Sequence, residues 1–183
     1  MKYTKLVSLI LLITSICLIT FGCGINKDKF EGTWSGIVPN STRFFKEQET
    51  WNSIVRVKIE KNGDSSYLIK MDTLCIKGYV GDKGENVVAH WVHSVNKKTY
   101  TATAKDNILT VNGPEHLTYT FLEKDNTLLI PECFGLSSAP ITKDDDGKLY
   151  EKYKDDLAKD YLDSNANDKY NRTYTVSDKV VER

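Results

Sequence analysis

The sequence predicts a mainly β protein: an antiparallel up-and-down barrel of about eight to ten strands with one amphipathic helix near the C-terminus. Three observations carry this. Period-2 alternation of apolar and polar residues recurs from residue 32 onward, punctuated by turn formers. The links between these segments are shorter than the dozen or more residues that a parallel crossover needs, so neighbours run antiparallel. One late stretch, 147–163, switches to helical period. An open meander would leave two unpaired edges, and closure removes both. A two-sheet sandwich is the second option.

The first strand is expected at 32–38. Within 54–61, Val55, Val57 and Ile59 share one face, and Arg56, Lys58 and Glu60 the other. Asn62-Gly63 follows, the preferred pair for a two-residue type I′ turn because both tolerate positive φ. The chain then returns through Tyr67, Ile69 and Met71. Further strands are expected at 75–80, 86–95, 99–105, 108–112, 117–123 and 127–131. In 147–163, Tyr150, Tyr153, Leu157 and Tyr161 step by three or four residues, the spacing of one helix face. Asp144, Asp145 and Asp146 precede it, where carboxylates accept from free N–H groups and oppose the helix dipole. This helix is expected to dock on the barrel wall, with a partner-binding helix as the alternative. Residues 164–171 read as loop, and 174–181 as a last strand or a frayed tail.

The 183 residues carry Lys+Arg 25 and Asp+Glu 25. That balance argues against a nucleic-acid binder, which shows a basic excess. The chain is uneven, however. Lys2 and Lys5 precede an almost unbroken apolar run from Leu6 to Phe21, the pattern of an export signal. The run is shorter than the roughly 20 apolar residues of a membrane span, and it ends at Gly22-Cys23-Gly24. Gly22-Cys23 resembles the lipobox of bacterial lipoproteins, with Thr20 and Phe21 departing from the usual residues. The resemblance implies thioether linkage of a diacylglycerol, with its two acyl chains, to Cys23, cleavage after Gly22, and a membrane contact made through the lipid anchor on the extracytoplasmic face. Cleavage would remove two lysines and no acid, leaving two net negative charges. The expected organisation is a signal at 1–22, a lipidated tether at 23–29, the barrel with its helix at 30–163, and a polar tail or extra strand at 164–183.

Gly32-Thr33-Trp34 opens the first strand. Together with the meander and the late helix, this Gly-x-Trp resembles the first signature of the lipocalin-like (calycin) barrels, over residues 30–163. In that family the Trp packs across the closed end of the barrel and the Gly lets the chain bend close to it. Two family features are missing. There is no Thr-Asp-Tyr, and the late arginine that stacks on the Trp has no counterpart beyond Arg172 and Arg183, with Lys124 a poor substitute. The resemblance implies a cavity for a small apolar or amphipathic ligand, or a barrel surface that binds a neighbouring envelope protein. Phe44, Phe45 and Trp51 in the first long connection are candidates for a hydrophobic lid over such a cavity. The alternative is that they pack as core or extend the next strand.

Cys75 and Cys133 form an even pair in a chain expected to be exported, open between a disulfide and two buried free thiols. His90 and His93 are three apart, so on a strand they face opposite sides and cannot share one metal directly. Ser94-Val95-Asn96-Lys97 matches Ser-x-x-Lys but straddles a strand end, whereas the nucleophile motif starts a helix. No catalytic residues, metal or cofactor are expected. The functional expectation is a non-enzymatic, lipid-anchored binding protein. The alternative is an exported inhibitor or adaptor that acts on a hydrolase through barrel loops.

Overall fold

The computed structural model describes residues 28–41, 48–49, 52–78, 86–113 and 116–183. The strands are β1 (Gly32–Pro39), β2 (Gln48–Glu49), β3 (Asn52–Lys61), β4 (Ser66–Gly78), β5 (Asn86–Val95), β6 (Tyr100–Lys105), β7 (Ile108–Val111), β8 (Thr118–Leu122), β9 (Thr127–Ile130), β10 (Ala139–Lys143) and β11 (Thr173–Glu182). Among the described residues there is one helix, α1 (Lys148–Asn165), which precedes β11. Eight strands close into an antiparallel barrel, in the order β4-β3-β1-β10-β9-β8-β7-β6 with β6 returning to β4.

Closure follows from β4. Its first residues, Ser66 to Ile69, pair with β6, while Asp72 to Lys77 pair with β5 on the same edge. Thus β5 and β6 lie end to end along one 13-residue strand. The second half of β4 extends beyond the barrel as a short outer sheet, β3-β4-β5-β11.

Two cores share these strands by parity. Side chains from all eight barrel strands meet inside, among them Trp34, Val57, Ile69, Ala102, Leu109, Tyr119, Leu128 and Ile141. The opposite face of β3, β4 and β5 presents Ile54, Leu74, Ile76, Ala89 and Trp91 to Leu157 and Tyr161 of α1, with Tyr174 and Val176 of β11 alongside. The helix is therefore docked on the wall, as its apolar stripe requires. Gly78 permits this approach, because a Cβ there would collide with the Tyr161 hydroxyl. Asp144, buried, accepts from the backbone N–H groups of Leu149 (3.0 Å) and Tyr150 (2.9 Å) and so caps the helix.

Four details depart from the sequence reading. The Asn62-Gly63 hairpin forms with Lys61 opposite Tyr67 and Asn62 donating to the Ser66 carbonyl, so its loop is Gly63-Asp64-Ser65. A two-residue turn would set Ile59 opposite Ser66 and turn Ile69 outward. The apolar pattern fixes the register and overrides the turn preference. The segment expected at 67–71 and the described part of the one expected at 75–80 form one strand, because the apolar residues change face between Met71 and Leu74 where β4 leaves one core for the other. Strand β10 is not among the expected strands, and it contains a proline, Pro140. It is tolerated because β1 pairs with β10 only at Trp34 and Ser35, beyond the proline. Finally, β11 is a strand, but it runs parallel to β5, which the intervening helix makes possible.

Candidate functional site

Gly32 and Trp34 sit at one end of the barrel, called here the Phe30 end. Trp34 is fully buried and donates its indole N–H to the Phe30 carbonyl at 2.8 Å. Phe30 lies over the barrel interior, edge-on to Tyr67 and Phe121. Asp28 fastens this segment. It accepts from the Tyr67 hydroxyl (2.6 Å) and the Phe30 N–H (3.0 Å), and pairs with Lys61 (3.2 Å). Burial pushes the Asp28 carboxyl up, but these hydrogen bonds outweigh it and hold the group below its ordinary range. Burial and the Asp28 charge push the Tyr67 phenol up.

The cation over Trp34 is Lys143, from the last barrel strand, with Nζ 5.2 Å from the ring centroid. Lys143 stands directly opposite Trp34 on β10 and also donates to the Glu31 carbonyl. The sequence points instead to Lys124, Arg172 and Arg183, because it does not announce β10. Gly32 makes room for the arrangement. Its φ of +132° is rarely open to an L side chain, and a Cβ would collide with Asp145 Oδ1 and lie 2.7 Å from Lys143 Cε. Asp145 Oδ1 accepts from the Thr33 N–H at 2.9 Å. The acidic run before α1 thus divides its work between the helix cap and the barrel end.

The other end carries the link from β9 to β10. Cys133 and Leu136 bond each other as the base of a tight turn, with Leu136 N–H to the Cys133 carbonyl at 2.9 Å. Both side chains are buried in the barrel core. Between them, Phe134 (φ +51°) and Gly135 (φ +78°) take the conformation of a type I′ turn. Hydrogen bonds from Ser41 N–H to the Gly135 carbonyl (2.7 Å) and from Ser137 N–H to the Pro39 carbonyl (2.8 Å) pin the turn to the end of β1. Phe134 is 53% exposed. Sequence reasoning missed this turn, since Phe-Gly carries no turn signal at its first position.

Cys75 and Cys133 are free thiols. The possible disulfide is not formed: Cys133 belongs to the barrel core, whereas Cys75 lies on the part of β4 that pairs with β5 beyond it. Burial pushes the Cys75 thiol up to about 11, with Arg183 opposing, so it is a poor nucleophile at neutral pH. His90 pairs across from Lys77 and His93 from Leu74, on opposite faces of β5. Among the described residues no group of three or more His, Cys, Asp or Glu is placed to hold a metal ion. Ser94 lies within β5 and Lys97 beyond its end. Gly22, Cys23, Phe44, Phe45 and Trp51 lie outside the described residues, as does the candidate lid they include. No helix among the described residues is long and apolar enough to cross a membrane.

The architecture is that of a lipocalin-like barrel: eight antiparallel strands, one end covered by the segment ahead of β1, and a helix on the wall. Comparison with family models, with curated proteins and with solved structures gave no match.

Proposed function

We propose that the chain is a non-enzymatic, lipid-anchored protein of a bacterial envelope whose barrel binds a neighbouring envelope protein through its outer surface. The observation that carries this is the barrel interior. An eight-stranded barrel is just wide enough either to be filled by its own side chains or to hold one small ligand. Here every barrel strand sends buried apolar side chains into one contiguous cluster. Phe30 covers it at one end, and Cys133 and Leu136 cover it at the other. That arrangement favours the protein partner over the small apolar ligand. An inhibitor or adaptor acting on a hydrolase is a narrower form of the same reading.

The anchor rests on the signal ending in Gly22-Cys23. Two acyl chains hold a protein stably on a bilayer where one does not. Cys23→Ser should abolish incorporation of a palmitate analogue, and persisting label would sink the anchor. Native mass spectrometry of the protein taken from its host envelope in mild detergent should show a second polypeptide. A stoichiometric small apolar molecule in its place would overturn the choice of partner.

A further inference from the structure

We propose that Phe134 is the anchor residue of a protein-binding surface, its ring held outward by the strained turn so that it enters an apolar cleft on a partner protein. Among the described residues, five that are not glycine have positive φ: Asp106, His116, Asn126, Phe134 and Asn171. Four are of the types that tolerate this conformation through short polar or ring side chains. Phe134 alone is bulky and apolar, a genuine outlier. Strain of this kind persists where the surroundings over-determine it, and it clusters at functional sites. The surroundings here do so: the turn is fixed from below by buried Cys133 and Leu136 and from the side by Pro39 and Ser41. The ring is the most exposed of the large apolar side chains described. Around it, Pro39, Ser41, Glu132 and Ser138 are exposed and mostly polar. A rigid aromatic centre inside a polar rim is the anatomy of a binding hot spot.

The occupant is a protein and not the bilayer, an argument that rests on the lipid-anchor reading. Cys23 is five residues before Asp28, which is fastened at the Phe30 end. Five extended residues reach about 18 Å. Strand β1 runs from the Phe30 end to the Phe134 end in 8 residues, about 20 Å along the axis of a tilted barrel. A tether this short, joined at the Phe30 end, keeps that end within reach of the bilayer, and an upright barrel then holds Phe134 about one barrel length away from it.

The test places a photo-crosslinking phenylalanine analogue at position 134 of the full chain in its native host. The control position is Ile108, which is 45% exposed at the Phe30 end. A single polypeptide adduct is expected from 134 and none from 108. Purified full chain, titrated into the isolated membranes, should suppress the adduct. The Phe134→Asn variant should need about thirtyfold more protein for the same effect, the loss typical of a truncated hot-spot aromatic. That variant creates Asn-Gly, the favoured type I′ pair, so it should melt at or above the wild-type temperature. The proposal is overturned if Phe134→Asn competes as well as wild type, if the adduct is lipid, if no adduct forms, or if Phe134→Asn melts several degrees lower because the ring packs on its own chain. Palmitate-analogue labelling of the same cells separates the two readings. Label without an adduct removes the role of Phe134 alone, and an adduct without label removes the anchor alone.

Discussion

Gly32→Ala puts the Phe30 end to its most demanding test. The substituted residue must hold a φ of +132°, which costs an L residue about 1–3 kcal/mol. Its methyl group must also displace Asp145 Oδ1 and the end of Lys143. Losing the Asp145 bond to the Thr33 N–H removes about 1 kcal/mol. Losing Lys143 from above Trp34 removes about 0.5–1 kcal/mol more. The expected loss is therefore about 2.5–5 kcal/mol, a large part of the roughly 5–15 kcal/mol that stabilises a domain. Equilibrium urea unfolding followed by Trp fluorescence reads it directly. Lys143→Met alone should cost about 1–2 kcal/mol. In the double variant the two costs should add to less than their sum, because Gly32→Ala has already moved the lysine. A loss below about 0.5 kcal/mol for Gly32→Ala, or strict additivity, would refute the account of how Gly32, Lys143 and Asp145 cooperate around Trp34.

Three further outcomes are expected. The folded-state pKa of Asp28 is depressed, so its contribution is present above the unfolded carboxyl value near 3.9 and is lost as pH falls through the lower folded value. Urea midpoints of wild type should drop between pH 6 and pH 3 more than those of Asp28→Asn, and equal drops would count against the Asp28 network. Leu157 is 1% exposed between α1 and the outer face of the sheet; Leu157→Ala should cost about 2–5 kcal/mol in the same assay, and a negligible change would mean that the helix is not docked. Alkylation in denaturant without reductant should modify both Cys75 and Cys133; modification only after reduction would reveal a bridge between them.

Much of the barrel could be read from period and punctuation. Strand β5 was placed at its observed bounds, and the inward sets Val55, Val57, Ile59 and Tyr67, Ile69, Met71 all enter the core. The helix face was legible because Tyr150, Tyr153, Leu157 and Tyr161 all meet one sheet surface. What stayed hidden had physical causes. A strand that serves two cores changes its apolar phase, so β4 looked like two strands. Strand β10, which contains Pro140, stayed hidden, and with it Lys143, the partner of Trp34. Local turn preference lost to register at Asn62-Gly63. Phe134 left no trace because its conformation defies the residue type, and a violated local rule cannot be read from the residues that normally obey it.

The most direct test of the central claim, a barrel filled by its own side chains, is to denature the protein, extract it with organic solvent and refold it. Anything bound inside the native barrel would stabilise it by mass action, and its loss would show in the melting temperature. The account predicts that the refolded protein melts at the same temperature as the protein isolated from its host. A midpoint several degrees lower, restored by adding back the solvent extract, would contradict it and return the barrel to the binding of a small apolar ligand.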